Sequence, residues 1–175
     1  MVTGNTMSIL NKPSLIDVNK VSEFDSLAWR NARDAKMREW IPDEWALKFV
    51  LDYSDAVELW DDLIDGDKEF DKQQVMRVFT NLLTVMPLNP FFNQHKIVFI
   101  PLINASINAW FDSLDLEKGS DNDKAMAYML RWYSHEAFIY TILITRGYEY
   151  MRSVSLEVRR FFTDHESLDE YRRKL

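Results

Sequence analysis

Nine carboxylates, Asp52, Asp55, Glu58, Asp61, Asp62, Asp65, Asp67, Glu69 and Asp71, crowd a stretch of the chain that holds a single base, Lys68. Carboxylate oxygens at this density suit a hard divalent cation. At about 100° per residue along a helix, Asp61 falls on the border of an apolar face. Asp65 follows one turn later on nearly the same line, with Glu58 close by, while Asp55 and Asp62 point away. The spacing therefore offers Asp61 and Asp65, with Glu58 close by, as candidate ligands of a hard divalent cation at the edge of a cavity. A calcium loop starting at Asp61 fits at Gly66 in its sixth position but fails at its third and twelfth, Leu63 and Lys72.

A second polar line, Asn104, Asn108 and Asp112, runs at i, i+4, i+8 along another helical pattern and is expected to face the first across a cleft. Asp61-Asp62-Leu63-Ile64-Asp65 resembles the DDxxD motif of class I isoprenoid synthases. That resemblance implies an all-α fold, magnesium and a diphosphate substrate, with Asn104, Asn108 and Asp112 as the second metal motif. In that motif asparagine stands for the hydroxyl residue and aspartate for glutamate. Glu58 with Asp61, and Asp112 with Asp115, are similar to the ExxE and ExxD pairs of the all-α nucleotide pyrophosphohydrolases related to MazG, which implies magnesium-dependent chemistry on a nucleotide. Both resemblances rest on short stretches. The plain alternative is a solvated helix end whose acids pair with the basic helix before it.

Glu136 lies among Met129, Trp132, Tyr133, Tyr140 and Leu143, on a line that reads as buried. A lone carboxylate there is costly and would have a raised pKa, so it needs a tyrosine hydroxyl, an arginine, a proton or a metal. His95, His135 and His165 show no metal-ligand spacing. No phosphate-binding glycine loop or nucleophile elbow is present. Six tryptophans, seven tyrosines and eleven phenylalanines are a large aromatic load for 175 residues. Trp29, Trp40 and Trp45, near one helix junction, are candidate interface anchors.

The elements that must position these residues are helices. Four glycines and five prolines leave little material for a turn-rich β fold. The chain reads as one all-α bundle of five to seven helices over residues 22–175, preceded by an arm over residues 1–21. A basic helix from Ser22 or Asp25 to Trp40, with Phe24, Leu27, Ala28, Ala35 and Met37 as its apolar side, offers Arg30, Arg33, Lys36 and Arg38 to the acids that follow. Pro42 opens the next helix, which keeps a wide apolar face from Trp45 to Ile64 and stops at Gly66. A third is expected from Phe70 to Met86, and a fourth from Asn89 to Glu117 with a kink at Pro101. The fifth, from Asp121 to about Tyr150, is apolar almost all round and should be central, with Ser120 and Asp123 as its cap and Gly147 as a close crossing or a bend. A short helix from Ser153 or Ser155 to Phe162 comes next, and Thr163 with Glu166 is expected to cap the last.

A net charge of −7 argues against nucleic acid as a partner, and the absence of cysteine excludes disulfides and thiolate chemistry. The longest apolar run, Ile97 to Ile103, falls far short of the roughly 18 residues a membrane span needs, so a soluble, cytoplasmic protein is expected. The leading function expected is non-catalytic: self-association as a homo-oligomer or binding of a protein partner. The alternative is a magnesium enzyme acting on a diphosphate or nucleotide through Asp61 and Asp65.

Overall fold

The computed structural model describes residues 26–65, 72–164 and 166–175, and among them there are helices and no strand. The arm over residues 1–21, Gly66 and His165 lie outside the described residues, as do Phe24, Phe70 and the side chains of Leu27 and Asp65. Among the described residues seven α-helices follow one another: α1 Ser26–Trp40, α2 Glu44–Asp65, α3 Lys72–Thr80, α4 Pro90–Leu116, α5 Asp121–Arg131, α6 Glu136–Thr163 and α7 Leu168–Lys174. The expected all-α bundle is what the chain forms.

Caps explain most of the boundaries. Asp43 takes the Ala46 amide at 2.7 Å and so opens α2, one residue after Pro42. Ser120 and Asp123 close a reciprocal capping box on α5. The box of the last helix is Ser167 with Glu170, rather than Thr163 with Glu166. Thr163 instead returns its hydroxyl to the Arg159 carbonyl, inside the turn that ends α6. Asn89 caps α4 by accepting from the Phe92 amide and also donates to the Trp45 carbonyl at 2.9 Å, which ties the starts of α2 and α4 together.

The core gathers Met37, Trp40, Leu47, Phe49, Val50, Phe99, Phe138 and Ile142 from α1, α2, α4 and α6, with Ile41 from the link between α1 and α2. Phe49 is its centre, within 4.6–6.3 Å of the rings of Tyr53, Phe91, Phe92 and Phe99. On α1 the inward line is Trp29, Arg33, Met37 and Trp40, while Ala28 and Ala35 face solvent. The expected apolar side is thus rotated, because Arg33 has acids to meet inside.

The third helix is shorter than its pattern. After Thr80 it relaxes into a π turn over Asn81–Val85 and a 3₁₀ turn over Met86–Leu88. This leaves Asn81 free to bond the buried Asp52 at 2.9 Å. α4 runs on through Pro101, and Ile97, whose carbonyl an amide at 101 would have served, is exposed. By length and composition α4 is the one helix among the described residues apolar enough to cross a membrane, although no single run of its residues shows it.

The helix expected over Asp121 to Tyr150 is interrupted twice. A 3₁₀ turn at Trp132–His135 separates α5 from α6, and Gly147, at φ 80° and ψ 171°, divides α6 into limbs over 136–146 and 148–163. Only glycine takes that conformation readily. The second limb folds back on the first, bringing Phe162 to 4.9 Å from Phe138 and 4.3 Å from His135. The central apolar element is the first limb, with Ala137, Phe138, Ile139, Thr141 and Ile142 buried. Met129, Tyr133 and Tyr140 face outward, so the 3₁₀ turn has rotated the inward line away from the one their spacing suggested.

Candidate functional site

Past the buried core, the second half of α2 borders a cavity of about 970 Å³. Its walls come from α1, α2, α4 and α5, the turns that follow α3, the turn at Trp132–His135, the end of α6, and α7. Aromatic residues dominate, with Trp29, Tyr53, Trp60, Trp110, Tyr128, Trp132 and Tyr171 among them.

Two charge networks border this space. In the first, Arg33 is only 3% exposed, and its guanidinium reaches Asp55 at 2.8 Å, Asp34 at 2.9 Å and the Ser54 hydroxyl at 3.2 Å. Glu58 lies farther off, 3.6 Å from Arg33 and 3.8 Å from Arg30. Burial pushes the Glu58 carboxyl above its usual range; Arg30 and Arg33 pull against this, and Asp55 and Asp62 add to it. Basic α1 thus meets the acids of α2, as their order along the chain suggested.

The second network is centred on Arg131. Its guanidinium joins Asp61 at 3.1 Å to Glu117 at 3.0 Å, and it lies 5.9 Å from the Trp110 ring and 5.8 Å from that of Tyr171. The Trp110 indole N–H donates to the same Asp61 oxygen at 3.0 Å, and the Tyr171 hydroxyl donates to Glu117 at 2.5 Å. Burial, reinforced by Glu117, drives the Tyr171 phenol well up from its ordinary value. Tyr53, buried deeper in the wall, is pushed up to about 12 by its surroundings against a hydrogen bond with Ser106. Tyr128 donates to the Glu166 carbonyl at 2.6 Å, and Lys174 pairs with the Glu166 carboxylate at 2.6 Å, so α7 is fastened across one side.

The predicted site residues are dispersed by this arrangement. Asp61 and Glu58 both line the cavity, but each is engaged by different guanidinium groups. Among the described residues, no three acids or histidines are gathered as a metal site. Asp62, expected to point away, also lines the cavity. Asn104, Asn108 and Asp112 are exposed on the far side of α4, where Asn108 donates to Asp112 at 2.9 Å. They do not face Asp61, because α4 turns Ile103, Ser106, Ile107 and Trp110 toward it instead. The expected facing stripe is therefore corrected: its spacing is that of the solvent side.

Glu136 is not a solitary buried carboxylate. It pairs with Arg159, which the reversal at Gly147 brings back beside it. His135 is buried between the rings of Trp132 and Phe162. Of the three tryptophans expected at an interface, Trp40 is buried against Phe161 and Trp29 stacks on Phe161 at 5.2 Å, while Trp45 is 56% exposed. Sequence reasoning missed Arg131, Glu117, Tyr128 and Tyr171. Their only early sign was composition, since a tyrosine couples an apolar body to a polar tip.

No protein-family profile, curated protein or solved structure matches the chain.

Proposed function

We propose that this chain works by binding and not by catalysis, and that it takes a small organic ligand into the cavity beside the second half of α2. The observation that carries this is the cavity itself. Its volume, about 970 Å³, stands at the upper end of the range typical of small-molecule sites, and its aromatic walls hold a few fixed polar groups. The carboxylates of Glu58 and Asp61 already have cationic partners, which a magnesium ion would have to displace.

A filling substitution tests the reading. Ala56 lines the cavity and is half-buried on α2. Wild-type protein should enhance the emission of the neutral dye Nile red in a saturable way, and Ala56→Trp should abolish that signal while its circular dichroism stays helical. Equal dye binding by the two proteins would refute the proposal.

Self-association is a second reading, favoured by a specific surface. Met76 and Phe79 on α3 and Leu83 in the π turn that follows it are all exposed, Leu83 by 73%. Light scattering should then give a mass above one chain, reverting to a monomer in Leu83→Lys; a wild-type monomer at high concentration would end this reading. A cytoplasmic, water-soluble protein belongs to the same proposal. Its support is the outer side of α4, where Lys96, Asn104, Asn108, Asp112 and Asp115 are exposed to solvent.

A further inference from the structure

We infer that the ligand of this cavity is an organic cation, an ammonium group on an apolar body, which rests on the reading of the cavity as a binding site. Charge and rings point the same way. Glu58, Asp61, Asp62, Glu117, Glu166 and Glu170 line the space, and the cations lining it are Arg131 and Lys174. Both are spoken for, Arg131 by Asp61 and Glu117 and Lys174 by Glu166. An entering anion would meet a negative field with no uncommitted cation among these two, whereas a cation is favoured by that field.

The rings strengthen the case. The faces of aromatic rings attract cations, most of all when water is excluded. The protein already uses this environment for a cation of its own: Arg131 lies between two carboxylates and over the rings of Trp110 and Tyr171. Nearer the rim, Trp60 stands edge-on to Trp110 at 6.4 Å, with Asp62 two residues further along the same helix. Glu58 holds its buried oxygen without a hydrogen bond, 3.6 Å or more from both of its arginines. Those two arginines already flank that oxygen, so Glu58 favours an entering ammonium group through its contribution to the field rather than by direct contact.

Calorimetric titration with a matched set of probes tests the inference. The probes are a phenylbutyl-trimethylammonium ion, its uncharged tert-butyl isostere and the corresponding sulfonate. The ammonium should bind at least about tenfold more tightly than the isostere, with the sulfonate weakest. Asp62→Asn combined with Glu58→Gln should remove most of that advantage and leave the isostere's affinity unchanged. Asp112→Asn, which removes a charge from the outer side of α4, should alter neither. Trp60→Leu, at a half-exposed position that does not threaten the fold, should weaken the ammonium selectively. If isostere and ammonium bind alike, the cationic ligand is overturned and the cavity reading stands. If no probe binds and Nile red does not either, both fall.

Discussion

Along the first half of α2, Ala46, Leu47, Phe49 and Val50 are shut off from solvent, whereas along its second half Trp60, Leu63 and Ile64 stand exposed. The apolar spacing is the same in both halves. What differs is the opposing surface: the first half meets the end of α1, the start of α4 and the first limb of α6. The second half meets a cavity rimmed by charged groups and closed on one side by the seven residues of α7. An amphipathic period decides which side of a helix turns inward, and it does not decide whether anything fills the space there. In this molecule the unfilled end is the one proposed above to take a ligand.

The largest effect expected from that contrast is at Phe49. Phe49→Ala should cost about 3–5 kcal/mol in urea denaturation, because its site is enclosed by four other rings and cannot collapse. Trp60→Ala, at a position 37% exposed, should cost about 1 kcal/mol. Equal losses would break the comparison.

The guanidinium groups should divide in the same way. Arg33→Met should cost about 3 kcal/mol, since it removes the nearest cation from Asp55 and leaves Asp55 and Glu58 only the longer pairs with Arg77 and Arg30, whereas Arg131→Met, in a network that shares the open cavity, should cost about 1 kcal/mol. Thermal unfolding of the two variants, side by side, reads the difference.

Gly147→Ala follows at about 2 kcal/mol, from backbone strain alone, because nothing lies within 4 Å of the added carbon. If the same substitution also weakens ligand binding, the two limbs of α6 act as one support for His135 and Phe162 in the cavity wall.

The smallest effect is a pH slope. Burial raises the Glu58 pKa in the folded state, so its contribution to stability is fully present below the ordinary carboxyl value and is lost as pH rises through the raised one. Glu58→Gln should therefore gain on the wild type as pH increases from the ordinary carboxyl range upward. A difference between the two that does not vary with pH would mean that Glu58 is solvated like the exposed acids of α2.

Several of these features could be read from residues a few positions apart. The Ser120 cap, the inward side of the first half of α2, the meeting of basic α1 with the acids after it and the glycine at 147 as a bend are all set by local geometry. The site was half legible. The helical period sets Asp61 beside an apolar face, and Asp61 lines the cavity, but its partners Trp110 and Arg131 lie 49 and 70 residues further along the chain. No helical period connects positions that far apart.

The sequence by itself determined an all-α chain, because periodic apolar residues with few glycines and prolines stabilise helices over short range. It also determined the excess of carboxylates on α2. Only the tertiary structure decided what those carboxylates meet. The 3₁₀ turn at Trp132–His135 and the reversal at Gly147 set the directions of α5 and α6, and those directions bring Arg131 to Asp61 and Arg159 to Glu136. A charge's partner depends on where helices cross, and a crossing is a property of the whole packed core rather than of any one segment.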